Sequence, residues 1–362
     1  MTSPTRALHE LGQSLWLDNI TRGMLDDGTI KRYIEEYSVT GLTSNPSIFD
    51  KAVEGGGYDE AIAAKSAEGT SGEDLFFELA IEDLRRAADL FTPIHQETGG
   101  VDGYVSLEVS PVLAYDTDAT VAAATALHAW AERDNLFIKI PGTPEGLPAI
   151  TEAIAAGVPV NVTLLFDAQQ YRAAADAYMT GIERRLVAGE DPAVTSVASV
   201  FMSRWDAAVA GEVPEGLKNR LALAVGGAAY RAYRELQASD RWQGLQSKGA
   251  KMQRLLWAST STKDPEAPDT LYVSGLAAPD TVNTMPDSTL EAFHDHGTLR
   301  GVMESDGGSS DEVLEEFATA GVDVTALGHK LQVDGAAAFV ESWKSLMGCI
   351  EAKTRSVACE ST

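Results

Sequence analysis

A lysine inside an apolar run is the most reactive placement in this chain. Lys139 stands between Phe137-Ile138 and Ile140, in a stretch that reads as a buried strand. Burial strips water from the ammonium, lowers its pKa and frees the neutral amine. A neutral amine beside a sugar carbonyl is a Schiff-base nucleophile. The plainer reading is a strand-end lysine that snorkels to water. Other polar residues interrupt apolar runs in the same way. Asp18 closes Leu15-Trp16-Leu17-Asp18, Asn45 closes the run from Val39, and Glu108 lies near the end of the run from Tyr104. Asn161 and Thr163 are two apart and share a strand face. So do Ser199, Phe201 and Ser203, with Arg204 following at the tip, and Ser259 and Ser261, with Lys263 beyond. Singly, Glu108 fits a salt bridge, Asp18 the cap of a helix beginning near Ile20, and Asn45-Pro46-Ser47 a turn.

These residues sit on a recurring pattern, an apolar β-branched run followed by an Ala-rich segment of helical period, which suggests a parallel sheet with crossover helices. The expected strands are Leu15–Asp18, Val39–Asn45, Tyr104–Val109, Leu136–Pro141, Val160–Phe166, Val197–Arg204, Leu255–Ser261 and Thr281–Pro286. Helices are expected over Thr120–Arg133, along the stripe Leu147, Ile150 and Ile154 ended by Gly157, along Tyr171 to Leu186, and over Leu327–Ile350. Eight such units fit one α/β domain, a (β/α)8 TIM barrel with extra N- and C-terminal helices, over residues 1–350. Residues 351–362 are expected to form a flexible C-terminal tail. The alternative is an open doubly wound sheet, but the dinucleotide fingerprint that often accompanies it is absent. Gly142-Thr143-Pro144-Glu145-Gly146 is too short and proline-bearing for a phosphate loop. Ser309 and Glu312 suit a capping box. In a barrel the chemistry gathers at the C-terminal strand ends, which is where every polar residue named above falls. That convergence weighs against reading each one separately.

Composition excludes several classes. The chain has 362 residues, with 44% hydrophobic and 7% aromatic, so disorder is not the default. No apolar run approaches the roughly 18 residues of a membrane span, and the N-terminus has no apolar signal core, so a cytoplasmic protein is expected. Lys and Arg number 28 against 54 Asp and Glu, a net charge of −26. Nucleic acid is thereby excluded as a partner, and attraction to anionic membranes is weakened. An anionic substrate would need local cations, since salt screens distant charge over roughly 10 Å. Cys349 and Cys359 are expected to be reduced thiols without a role. His294-Asp295-His296, two apart and expected on a surface loop, makes a poor metal site, so no metal is expected.

At this point the residues resemble a known family. Gly41-Leu42-Thr43-Ser44-Asn45-Pro46-Ser47 resembles the transaldolase signature, Phe137-Ile138-Lys139-Ile140-Pro141 its Schiff-base strand, and Asn161-Val162-Thr163-Leu164-Leu165-Phe166 its fifth strand. Ser106-Leu107-Glu108-Val109 followed by Tyr115-Asp116-Thr117 also fits. The resemblance runs from about Leu11 to Ile350. Leu256-Trp257-Ala258-Ser259-Thr260 and Asn283-Thr284-Met285-Pro286 are most similar to the long, actinobacterial branch.

The resemblance implies transfer of a dihydroxyacetone unit from sedoheptulose 7-phosphate or fructose 6-phosphate to an aldose phosphate, in the non-oxidative pentose phosphate pathway, without a cofactor. It implies an imine on Lys139, proton relay by Glu108 through a water held with Thr163, and Asp18 as the base for carbon–carbon cleavage. Asn45 and Asn161 would bind the ketol hydroxyls, Ser199 the C1 hydroxyl and Arg204 the phosphate. Where many relatives place a second arginine after the seventh strand, this chain has Thr260-Ser261-Thr262-Lys263. Lys263 is the expected second cation, with Ser259 and Ser261 as neutral donors. A monomer or homodimer is expected. The rivals are a fructose-6-phosphate aldolase, whose relatives are shorter and tend to carry glutamine at the position of Glu108 and tyrosine at that of Phe201, and an inactive barrel that serves as a binding protein.

Overall fold

In the computed structural model, which describes residues 2–299 and 301–360 (the last four as backbone alone), eight parallel strands close into a barrel in chain order. The side chain of Cys359 lies outside the described residues. The strands are β1 (Ser14–Leu17), β2 (Val39–Thr43), β3 (Val105–Glu108), β4 (Leu136–Pro141), β5 (Val160–Leu165), β6 (Ser196–Phe201), β7 (Arg254–Ala258) and β8 (Val282–Met285). Nearly every strand residue is buried. One face packs inside the barrel and the other beneath the helices, which is why these runs read as continuously apolar.

The strands are shorter than their apolar runs, and the residues left over are the polar ones. Asp18 follows β1, its backbone N–H still donating to Met285 O at 2.7 Å. Asn45 is not a strand residue but the N-cap of the helix Pro46–Glu54, its side chain accepting from Ile48 N at 3.1 Å. Ser203 and Arg204 do not extend β6; they open the helix Ser203–Ala208. Ser259 and Ser261 do not share a strand face, because Ser259 takes a left-handed φ of 56° and turns the chain away after Ala258. A strand end is where backbone groups leave the ladder, so capping and turning residues collect there.

The helices Thr117–Ala131, Gly146–Ala155 and Ala168–Ala188 lie close to the expected segments. Asp116 and Asp167 cap two of them by accepting from Ala119 N and Gln170 N. Thr21, not Asp18, caps the helix Arg22–Asp26, which leaves the Asp18 carboxylate to other partners. The expected capping box does not form, since Ser309 precedes the helix Ser310–Thr319 without a side-chain cap bond. His294 and His296 end the helix Asp287–His296 and are not on a loop; they turn to different partners, Thr5 and Asp269. The C-terminal helix runs Val324–Glu360, so residue 350 lies inside it. It buries Leu331, Phe339, Trp343 and Leu346.

Inside the barrel, Trp16 packs beside Phe137, with ring centroids 6.1 Å apart. Its indole is 1% exposed and donates to Asp102 Oδ1 at 2.8 Å. Gly41 makes room for it: a Cβ there would lie 2.7 Å from the indole and 2.6 Å from Tyr104 O. Truncating a buried tryptophan costs about 3–5 kcal/mol, so Trp16 contributes to the barrel's stability.

Candidate active site

A cavity of about 210 Å³ opens at the C-terminal ends of the strands. Of the residues singled out from sequence, Asp18, Asn45, Lys139, Thr163, Ser199, Phe201, Arg204, Ser259, Ser261 and Lys263 line it. Glu108 and Asn161 stand directly behind that lining, 4% and 0% exposed. A larger cavity of about 430 Å³ opens at the opposite end of the barrel around Arg254 and Asp102. Those two groups lie 3.8 Å apart and face each other, and the strand-end side chains do not reach that cavity.

Parallel register places the core of the site. Glu108 on β3 pairs with Lys139 on β4, and Lys139 pairs with Asn161 on β5. Lys139 Nζ consequently lies 3.2 Å from Glu108 Oε2 and donates to the Ser44 carbonyl at 3.0 Å. Burial raises the Glu108 pKa; the Lys139 charge opposes this and the Asp18 charge adds to it. Both carboxylate oxygens of Glu108 and Oγ1 of Thr163 are buried without a hydrogen-bond partner in the protein. The contact with Lys139 is therefore one of charge, at ion-pair distance but off the hydrogen-bonding direction. These three oxygens are left without a partner in the protein.

Asp18, just past the end of β1, faces Lys139. A hydroxyl chain runs toward it, with Thr284 Oγ1 and Thr43 Oγ1 at 2.8 Å and Thr43 donating to Asp18 Oδ1 at 2.8 Å. Asn45 Nδ2 reaches the same oxygen at 3.5 Å. Burial raises the Asp18 pKa, and Lys139, Thr43 and Asn45 oppose the rise. The side chain nonetheless keeps part of its surface on the cavity. Ser199 donates to Asn161 Oδ1 at 2.7 Å, and Asn161 Nδ2 donates to Ser106 Oγ at 3.2 Å. Ser199 thus keeps its lone pairs, and Asn161 one amide N–H, for a polyhydroxy ligand.

The mouth is cationic despite the acidic chain. Arg204 packs its guanidinium 5.0 Å from the Phe201 ring and 5.8 Å from the Phe339 ring. Among the described residues neither Arg204 nor Lys263 has a carboxylate within ion-pair distance, whereas most other lysines and arginines do. Burial lowers the pKa of both, and for Lys263 the Arg204 charge is the next cause. Lys263 Nζ donates to Ser261 Oγ at 2.7 Å, and Ser259 shares a 2.9 Å hydrogen bond with Ser203. These two cations, with Ser259 and Ser261 beside them around one opening, are suited to hold an anion.

Several site residues escape a strand-by-strand reading. Thr43 and Thr284 look like ordinary β-branched strand residues until their hydroxyls meet beside Asp18. Phe339 reads as one position of an apolar helix stripe, and nothing in its spacing tells that the helix crosses the barrel mouth. Lys51, on the helix capped by Asn45, is close enough to lower the Lys263 pKa.

Comparison with known proteins gives the chain's family. Residues 15–350 match the family described as Transaldolase/Fructose-6-phosphate aldolase. The chain is 44% identical over 364 residues to a transaldolase of Arthrobacter sp. (strain FB24), covering 97% of each chain. It is 45% identical over 357 residues to a transaldolase of Thermobifida fusca, covering 96% of this chain and 97% of that one. A transaldolase of Trichodesmium erythraeum is 40% identical over 374 residues, covering 98% of each.

Proposed function

The chain belongs to the transaldolase/fructose-6-phosphate aldolase family and is an enzyme of the transaldolase type, acting on sugar phosphates, and from that premise we propose how its residues divide the reaction. The observation that carries the assignment is Lys139 Nζ, buried at the cavity floor 3.2 Å from Glu108. The amine gives up its proton and attacks the carbonyl of a ketose phosphate such as fructose 6-phosphate or sedoheptulose 7-phosphate. Glu108 and Thr163 relay protons through water as the carbinolamine loses water to the imine. Their buried, unpartnered oxygens support that role, and burial, which raises the Glu108 pKa, favours a carboxyl that takes and returns a proton.

Asp18 then removes the proton from the hydroxyl whose oxygen becomes the aldehyde of the leaving product. The carbon–carbon bond breaks and its electron pair enters the imine, leaving an enamine on Lys139. The enamine adds to the aldehyde of the acceptor, Asp18 returns the proton, and hydrolysis of the new imine frees the product ketose. Asn45, Asn161 and Ser199 hold the ketol hydroxyls, which fixes the attack geometry. Arg204 holds the phosphate through its planar fork, with Lys263, Ser259 and Ser261 completing the grip.

No described helix is long and apolar enough to cross a membrane. The same reading puts the enzyme in the cytoplasm as a monomer or homodimer, with residues 1–350 as the catalytic unit. A coupled assay with fructose 6-phosphate and erythrose 4-phosphate tests the function. Acceptor-dependent formation of glyceraldehyde 3-phosphate is expected. Cleavage that proceeds equally fast without acceptor would contradict it.

A further inference from the structure

The two strands that carry Lys139 and Thr163 end in a shared device. β5 shifts register between Val162 and Leu165. Within that shift Leu164, directly after Thr163, has φ of 60°, a left-handed conformation that leucine rarely takes. Its carbonyl accepts a hydrogen bond from Gln332 Nε2 of the C-terminal helix at 2.9 Å. The same amide nitrogen donates to the carbonyl of Gly142, at the end of β4, at 3.0 Å. Gly142 N in turn donates to Thr163 O at 2.7 Å. Gln332 is buried, so both of its N–H donors are spent on these two carbonyls. The helix comes close here because residue 335 is glycine: a Cβ there would lie 3.0 Å from Leu164 Cδ2 and 2.9 Å from Arg204 Nη1.

We propose that Gln332 is a positioning residue for the transfer reaction: its amide holds Leu164 in the left-handed turn, ties the ends of β4 and β5 together, and so fixes the Thr163 hydroxyl against Lys139 and Glu108. A strained backbone conformation persists only where its surroundings over-determine it. Here one side chain, from a helix remote in sequence, supplies a donor to the carbonyl at the turn and to that of Gly142. Without its donors, two buried carbonyls lose their partner and the turn can relax toward an ordinary strand. Relaxation rotates the peptide next to Thr163, and the group that moves is the one assigned to the proton relay. The inference rests on the Lys139–Glu108–Thr163 reading above.

The test is the rate at which borohydride traps the imine from fructose 6-phosphate, measured with KM and thermal stability. Gln332→Met keeps the length and volume and removes both donors. Gln332→Leu also removes them, and serves if the first variant folds poorly. Trp343→Leu loosens the same helix where it packs on Phe76 and Phe77 and leaves the amide clamp alone. Either Gln332 variant is expected to slow trapping and kcat by about tenfold or more, with KM changed by less than about twofold. Trp343→Leu is expected to lower the melting temperature while keeping the trapping rate. Gln332 variants that trap at the wild-type rate and only melt earlier, or that raise KM alone, would overturn the proposal. If the wild type itself yields no trapped lysine, the failure belongs to the Schiff-base reading and not to Gln332.

Discussion

Lys139 and Glu108 occupy paired positions on adjacent strands, and their charged atoms meet at 3.2 Å with less than a tenth of either side chain exposed. Parallel pairing alone produces this contact, since both strands run the same way and both residues point inward. Burial of such a pair is costly, and a fold gains little stability by keeping it. On the proposed mechanism its value lies in chemistry: an amine that must lose a proton stands beside a carboxylate that accepts one. Glu108→Gln is therefore expected to slow imine formation by at least about tenfold while leaving KM for fructose 6-phosphate nearly unchanged. Equal rates of imine trapping in the variant and the wild type would remove Glu108 from the relay.

Asp18 predicts a pH dependence. Burial holds its pKa above the ordinary 3.8, with Lys139 opposing. The base works only when ionised, so kcat/KM should fall as pH drops through the raised value, above the usual aspartate range. Stability runs the other way. In the window between the ordinary and raised values the native state binds more protons than the unfolded chain, so stability declines as pH rises across it. Asp18→Asn removes that decline. The variant should lose cleavage yet melt no earlier than the wild type at neutral pH, and calorimetry at pH values on either side of the window compares them. A variant that melts clearly earlier at neutral pH would show that the Asp18 charge supports the fold.

The two mouth cations should differ. Arg204 offers parallel donors braced by Phe201 and Phe339, whereas Lys263 is a point charge tethered to Ser261. Arg204→Ala is expected to raise KM for phosphorylated substrates more than Lys263→Ala does. Steady-state kinetics with fructose 6-phosphate gives the order, and the reverse order would move the phosphate grip to the loop after β7.

Most of the barrel was legible because its strands are buried on both faces and its helices are Ala-rich. The site was legible where a polar residue broke an apolar run, as Lys139 does in Phe137-Ile138-Lys139-Ile140. Legibility failed where a polar residue at a run's end was counted into the strand. Arg204 and Asn45 belong to helix starts, and Ser259 turns the chain by a left-handed residue that composition does not announce. It failed again for Phe339 and Gln332. Their roles depend on the path of a helix across the mouth, which is a long-range packing outcome and leaves no local mark.

Phe201 bears on transfer against release. Its ring lines the cavity and packs on Phe166, Phe339 and Arg204, and it offers no hydrogen bond to water near the enamine. Phe201→Tyr adds one hydroxyl at little change in volume. It should raise acceptor-independent release of dihydroxyacetone from fructose 6-phosphate while lowering transfer, both measured on one preparation. A parallel fall in the two rates would make Phe201 a packing residue only.

The central claim is that the three-carbon unit travels on Lys139. Borohydride added with fructose 6-phosphate should inactivate the enzyme and leave a reduced three-carbon or hexose adduct on the peptide containing Lys139, found by mass spectrometry. Lys139→Ala should take up no adduct and show no transfer. An adduct on another lysine, or undiminished activity after borohydride and substrate together, would contradict the account.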